Sequence, residues 1–301
     1  MKLLALLIGL LVEWLTTRLF QYRKFDVLDR AISFGFRQAL HTPNFPALIS
    51  VVLIVIVLVA PVFLILIGLE GPRYQFPYLI FAIIVLLLSF GPKDLGQNVD
   101  DYCNAVMAGD AEKIKEASTA LTEADLPNDT LDCARMVEAS ICVQANRRLF
   151  AVMFWFMVLG PVGAWAYRVT NLVHYRASCM ILRDNSSNSA QIVDASTMLH
   201  GLFDWIPTRL VAFGYAMVGS FDGALTAWRA PHEKSTQTAF EKGELLLRQV
   251  STGALALINL DSEDLAGRAV RGAQAANRLV LRLGLLWAIV IGTMILLGGS
   301  I

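Results

Sequence analysis

The chain has 301 residues, of which 56% are hydrophobic and 17% are charged. Soluble domains carry about 25% charged residues, so this composition excludes a free soluble enzyme. The formal net charge is zero, which argues against a nucleic-acid-binding surface. The four cysteines and four histidines lack the spacing of metal ligands, and we predict no metal site, no cofactor and no catalytic residue.

The amino terminus is predicted to form a retained apolar helix. Leu3–Phe20 begins like a signal peptide, but no small-residue cleavage site follows it. This helix either crosses the membrane or lies in it as a partly buried packing helix. Glu13 is a carboxylate at membrane depth, where it either pairs with Arg18 at the interface or lines a polar cavity.

Apolar segments predict several membrane-spanning helices. A crossing helix needs roughly 20 apolar residues, and Ala47–Leu69 exceeds that length with Pro61 as a predicted kink. The short connection after it predicts a helical hairpin with Tyr78–Phe90, and charge-free Leu283–Ile301 is the final span. Two segments stay open: Leu149–Tyr167, which Gly160-Pro161 interrupts, and Leu210–Phe221, which is short for a crossing.

The chain is predicted to be one domain, 1–301, in three parts. Residues 1–92 hold the first helix and the hairpin, and residues 149–301 hold the later spans and loops. Between them, 93–148 is polar, with eleven acidic and six basic residues and helical stretches Leu95–Ala108, Ala111–Leu121 and Leu131–Asn146. Lys and Arg beside the spans place this part in the cytoplasm. The predicted fold is therefore an all-α, polytopic helical membrane protein with a helical cytoplasmic subdomain.

Three short strings carry the candidate site. Asp204 and Arg209 flank Pro207, and this pair either binds a ligand or fixes the start of a helix. Asn146 precedes the Leu149–Tyr167 segment, and Arg168 and Asn171 follow it. A simple crossing would separate these last two strings, whereas a fold-back at Gly160-Pro161 would bring all three together on the cytoplasmic side.

These strings also carry a family resemblance. The marks are Glu13, Ala108-Gly-Asp110, Asn146, Met153-Phe-Trp155, Gly160-Pro161, Tyr167-Arg168, Asn171 and, most specifically, Phe203-Asp-Trp-Ile-Pro-Thr-Arg209. The chain resembles the AmpE family of inner-membrane proteins linked to β-lactamase induction and, more distantly, the CobD/CbiB amide synthases of the same superfamily. The resemblance implies that Asp204, Arg209, Asn146, Arg168, Asn171 and Glu13 shape a pocket for a small ligand or nucleotide, or hold the fold.

Departures from the synthase pattern separate the two branches. The synthases resemble E-N-x-x-D where this chain has Ala145-Asn146-Arg147-Arg148-Leu149, and N-T-L-D-S where it has Asn171-Leu-Val-His-Tyr175. The resemblance therefore implies a non-enzymatic, multi-pass protein of the bacterial inner membrane that modulates the response to β-lactams or cell-wall stress. Its expected partners are the lipid bilayer and cell-wall recycling proteins. The alternative is a membrane-bound cobinamide-phosphate synthase-like ligase.

Overall fold

The computed structural model describes residues 5–7, 9, 26–41, 46–69, 71, 75–90, 95–122, 126–127, 129–181, 187–230, 239–256 and 264–297. All regular structure within these ranges is helical, which confirms the predicted all-α class. The helices are α1 (Asp26–His41), α2 (Ala47–Gly68), α3 (Gln75–Ser89), α4 (Leu95–Ala108), α5 (Ala111–Thr122), α6 (Thr130–Ala145), a π-helical turn (Asn146–Phe150), α7 (Ala151–Leu159), α8 (Pro161–Ile181), α9 (Ser187–Val218), α10 (Phe221–Arg229), α11 (Ala239–Leu255) and α12 (Leu265–Leu296).

Three helical runs of the described chain are long and apolar enough to cross a membrane: α2, Thr130–Leu159 and α12. The 22 residues of α2 rise about 33 Å, and its side chains Leu53, Ile56 and Leu64 are more than half exposed. Such an apolar exterior matches hydrocarbon rather than water. The chain is therefore a membrane protein.

The predicted spans differ in detail from the helices. The final span is the second half of α12, which begins at Leu265 and reaches Leu296 without a break. The Tyr78–Phe90 segment lies in α3, whose 15 residues rise about 22 Å, so its crossing stays a prediction. Helix α2 packs against α8 and α9, and α3 packs mainly against α8, with little contact between α2 and α3. Leu3–Phe20 lies almost wholly outside the described residues.

The polar part of the chain forms the helices that its pattern predicts. Helices α4, α5 and α6 match the predicted stretches within one or two residues. Asp129 caps α6, because its carboxylate accepts a hydrogen bond from the backbone N–H of Asp132 at 3.3 Å. Gly109 ends α4 with a φ of 67° that a residue without Cβ adopts freely. The side of the membrane on which this part lies remains a prediction.

The Leu149–Tyr167 segment is a reversal and not a single helix. Gly160 ends α7 with a φ of 71°, and Pro161 begins α8. A Cβ on Gly163 would lie 2.4 Å from the carbonyl oxygen of Trp155, so the two helices approach closely at this turn. Asn146 and Tyr167 would be about 30 Å apart on one straight helix, yet both contact Asp204. The chain therefore folds back at Gly160-Pro161, and the cytoplasmic side for these strings stays a prediction.

Helix α9 joins two hydrophobic cores. Its first half, with Ile192 and Ala195, packs into a smaller core with residues of α1, α2 and α8. Its second half, with Val211 and Tyr215, packs into the larger core that α4, α6, α7, α11 and α12 build. The segment predicted as Leu210–Phe221 is thus, as far as Val218, the end of a 32-residue helix, and Asp204 lies at the junction of the two cores.

Candidate functional site

The site is built on one face of α9. His200, Asp204 and Thr208 follow each other at intervals of four residues, so they share a face. The helix continues through Pro207, which has no N–H to bond the carbonyl of Phe203. The indole N–H of Trp155, on α7, donates to that carbonyl at 3.0 Å. Helix α9 therefore stays continuous past the proline, and the expected helix start at Pro207 is wrong.

Asp204 is the centre of a buried hydrogen-bond network. Its Oδ1 accepts from Nδ2 of Asn146 at 3.1 Å and from the hydroxyl of Tyr167 at 3.0 Å. Its Oδ2 accepts from Oγ1 of Thr208 at 2.9 Å, and Asn146 also donates to that hydroxyl at 3.2 Å. The carboxylate is 7% exposed, and both of its oxygens are occupied by neutral donors of the protein itself.

Burial dominates the electrostatics of this carboxylate. Loss of hydration raises the pKa of Asp204 above its ordinary value, while Arg147 and the hydrogen bonds from Thr208, Tyr167 and Asn146 oppose the rise. Asn146 begins the π-helical turn, a distortion that often marks functional sites. Its Oδ1 is buried and has no hydrogen-bond partner in the described chain, so it could accept one from a ligand.

An ion cluster lies beside the network. Nη2 of Arg147 is 2.6 Å from Oε2 of Glu244, and Arg248 donates to the other Glu244 oxygen and to the hydroxyl of Ser140. Burial would raise the pKa of Glu244, but the two guanidinium groups outweigh it and the pKa lies below its ordinary value. This cluster fastens α11 to α6 and to the π-helical turn.

A histidine pair completes the surroundings. The rings of His174 and His200 stack with centroids 5.3 Å apart, and Phe240 contacts both. His200 is fully buried, and neither of its ring nitrogens has a hydrogen-bond partner among the described residues. Burial, with His174 and Arg147 nearby, lowers the pKa of His200 well below its ordinary value, so the ring is neutral. A neutral imidazole offers one donor and one acceptor to a ligand.

The predicted site residues divide into those that meet and those that do not. Asn146 and Asp204 are in direct contact. Arg168 is buried on α8 next to Tyr167, and Asn171 is half-buried one turn further along that helix. Glu13 lies outside the described residues.

Arg209 does not belong to the network. It lies five residues from Asp204, which places the two side chains on opposite faces of a helix. Its guanidinium donates to the carbonyl of Trp205 at 3.0 Å and lies 4.1 Å from the centre of that ring. The alternative in which Asp204 and Arg209 pair to fix a helix start is therefore wrong, whereas a ligand contact of Arg209 stays a prediction.

Sequence reasoning missed Tyr167, Thr208, His200, Arg147 and Glu244 as members of the site. Thr208 and His200 share the α9 face of Asp204, so their spacing was a usable signal once Pro207 was taken as internal to the helix. Nothing local marks Glu244, which lies 97 residues from its partner Arg147.

The resemblance implies acidic residues in the synthases at the positions of Ala145 and Leu149. Both positions are apolar and packed in this chain. Ala145 is 1% exposed in the larger core, and Leu149 packs against that core. Neither position can hold a metal-bound phosphate without a buried, uncompensated charge.

One family model matches almost the whole chain. The family model described as "Regulatory signalling modulator protein AmpE" matches residues 1–298. "Protein AmpE" of Shigella flexneri is 25% identical over 219 residues, 71% of this chain and 74% of that protein. No solved structure matches.

Two relatives named "Cobalamin biosynthesis protein CobD" match a shorter stretch of 152 residues. The one from Stutzerimonas stutzeri (strain A1501) is 26% identical over 49% of this chain, and the one from Chromobacterium violaceum is 24% identical over 50%. The match spans about half the length, 47%, of each of these proteins. Because the AmpE model covers nearly the whole sequence, the chain belongs to the AmpE family.

Proposed function

We propose that this protein is a non-enzymatic, multi-pass regulator in the bacterial inner membrane that modulates the response to β-lactams or cell-wall stress. Membership of a family described as regulatory signalling modulators supports this assignment. The observation that carries it is the closed state of the Asp204 network. A carboxylate whose oxygens accept hydrogen bonds from Asn146, Tyr167 and Thr208 is already engaged by the protein, which favours a positioning role over the holding of metal phosphate.

The network also suits a regulator because it joins separate parts of the chain. It links the π-helical turn, α8 and α9, and α8 packs in turn on the candidate spanning helix α2. A regulator needs two states that a ligand binds unequally. The unpaired Oδ1 of Asn146 and the ring nitrogens of His200 are the groups that a polar ligand would engage. In this proposal, ligand binding reorganises the network and shifts α8 relative to the spanning helices.

Deletion of the gene followed by measurement of β-lactamase induction under a cell-wall antibiotic tests the proposal. We expect induction and susceptibility to change, the wild-type gene to restore them, and Asp204→Asn to restore them poorly at equal protein level. Arg209→Gln serves as the matched control from the same helix and should restore them fully. Unchanged induction and unchanged susceptibility in the deletion strain would end the proposal.

A cobinamide-phosphate synthase-like ligase is the second candidate. The observation in its favour is a sequence match to the two proteins named for cobalamin biosynthesis. It covers about half of this chain, with 26% and 24% identical residues. Expression in a strain that lacks its synthase tests it. Growth that depends on cobalamin would support the ligase, whereas failure of a well-expressed protein would exclude it. The apolar Ala145 and Leu149 lead us to expect failure.

A further inference from the structure

Helix α1 has one face buried against the rest of the protein. Ile32 and Phe36 lie in the smaller core together with Val51 and Val55 of α2. A Cβ on Gly35 would lie 2.8 Å from the Ile54 side chain, so the backbone of α1 rests directly on α2. The position of α1 beside a candidate spanning helix is therefore fixed by packing.

The opposite face of α1 combines positive charge with an aromatic ring. Arg30, Phe34 and Arg37 follow each other at intervals of four and three residues and are all exposed, Phe34 to 70%. With Asp29 and Ser33, these residues line an open cavity of about 640 Å³.

The described side chains that line this cavity carry a net positive charge. Its carboxylate, Asp29, forms an ion pair with the guanidinium of Arg176 on α8. Ser33 donates to the backbone carbonyl of Asp29. Within the described parts of the chain, no carboxylate lies within ion-pair distance of Arg30 or Arg37. Two guanidinium groups two helical turns apart are thus available to an anion.

The depth of this face points to the membrane surface. Ile54, which Gly35 contacts, is the eighth residue of α2, about 10 Å along that helix from its first residue. Amphipathic helices at a bilayer lie about 5–10 Å into the boundary between headgroups and acyl chains. Gly35 of α1 therefore lies closer to the first end of this candidate spanning helix than to its last, and a membrane surface is expected at that end.

We propose that Arg30 and Arg37 bind the phosphate headgroup of an anionic phospholipid, with Phe34 among the upper acyl chains. A guanidinium presents parallel N–H groups that match phosphate oxygens, and an aromatic ring is stable at the interface. This lipid site is independent of the regulatory function proposed above, since no residue of the Asp204 network contributes to it.

The test uses the full-length protein, purified and delipidated, and measures its binding to phosphatidylglycerol and to phosphatidylcholine of equal chain length by native mass spectrometry. We expect wild type to bind phosphatidylglycerol more tightly than phosphatidylcholine. In Arg30→Gln/Arg37→Gln the ratio of the two affinities should fall about tenfold. Arg30→Lys/Arg37→Lys should keep most of it, because the charges remain. Lys115→Gln/Lys242→Gln removes two exposed charges elsewhere and should leave it unchanged.

Three results would overturn the lipid site: no preference in the wild type, equal loss in the Lys115→Gln/Lys242→Gln control, or displacement of the lipid by inorganic phosphate at the same concentration. Phe34→Ser gives a separate readout, with weaker binding of both lipids and an unchanged preference between them. Arg30 and Arg37 are exposed, so the variants should unfold at the wild-type temperature, which circular dichroism verifies.

Discussion

Two buried carboxylates of this protein are held in different ways. Asp204 is surrounded by neutral donors from Asn146, Tyr167 and Thr208. Glu138 forms an ion pair with Arg268, and the two side chains are 1% and 4% exposed. A buried charge that has an opposite charge as partner is fixed in place, because removing either partner leaves the other uncompensated. A carboxylate with neutral partners can gain a proton and keep much of its network.

The two groups also connect different parts of the fold. The Glu138 pair ties α6 to the spanning helix α12, where Gly272 provides the space. A Cβ at Gly272 would lie 1.8 Å from Oε1 of Glu138, so a larger residue is excluded there. The Asp204 network ties the π-helical turn to α8 and α9. We therefore assign anchoring to the first group and adjustable contact to the second.

Arg268→Met should give the largest effect. It leaves the Glu138 carboxylate buried without its charge partner, and we expect the free energy of unfolding to fall by about 3–5 kcal/mol. Unfolding by denaturant in detergent micelles measures this change. The double variant Glu138→Gln/Arg268→Met should recover part of the loss. A fall below about 1 kcal/mol for the single variant would remove the distinction between the two carboxylates.

Thr208→Val should give the next largest effect. Valine has the same shape but lacks the hydroxyl that donates to Asp204 and accepts from Asn146. The free energy of unfolding should therefore fall by about 2 kcal/mol. The control is Thr119→Val on exposed α5, whose hydroxyl bonds only within its own turn and whose loss should change stability by about 0.5 kcal/mol or less. Equal effects at both positions would contradict a functional network at Asp204.

Asp204→Asn should change how stability depends on pH. The pKa of Asp204 is raised in the folded protein, so the folded state keeps its proton when the unfolded state has lost it. Between the ordinary value of 3.8 and the raised value, wild-type stability therefore falls as pH rises. The variant lacks this fall, so the substitution should be more destabilising in acid than at pH 7. The exposed Asp101→Asn is the control, and a parallel pH profile in both variants would refute the assignment.

Arg209→Gln should give the smallest effect. The side chain is partly exposed to solvent, and in the described chain it donates to the carbonyl of Trp205 and lies over the ring of that residue, so a change of about 0.5 kcal/mol or less is expected. Thermal unfolding measures it. A loss of stability as large as that of Thr208→Val would show that Arg209 supports the site, and would contradict its exclusion from the Asp204 network.

Local patterns were sufficient for most of the helices. The charge-free run at Ala47 and the polar stretch Ala111–Leu121 each depend on neighbouring residues, and both predicted helices are present. The fold-back at Gly160-Pro161 was one of two alternatives, because a glycine–proline pair is compatible with a kink or a reversal. Only the meeting of Asn146 and Tyr167 at Asp204 decides between them.

The site was predicted in part, and the failures have physical causes. The alternative with an Asp204–Arg209 pair failed because it took Pro207 as the start of a helix. The helix continues through Pro207, since the indole N–H of Trp155 donates to the Phe203 carbonyl that the proline cannot bond. The Glu138–Arg268 pair could not be predicted, since its members are 130 residues apart and no periodic pattern relates them.

The turn at Gly160 has a mechanical consequence. Trp155 and Trp165 stand five residues to either side of it, and each donates its indole N–H to a backbone carbonyl of a proline-containing helix. Trp155 bonds Phe203 in α9, four residues before Pro207, and Trp165 bonds Leu58 in α2, three residues before Pro61. Proline positions are where helices bend. The α7–α8 reversal is thus hydrogen-bonded to both proline-containing helices. We expect a bend of α2 at Pro61 either to bend α9 as well or to break one of the two indole hydrogen bonds.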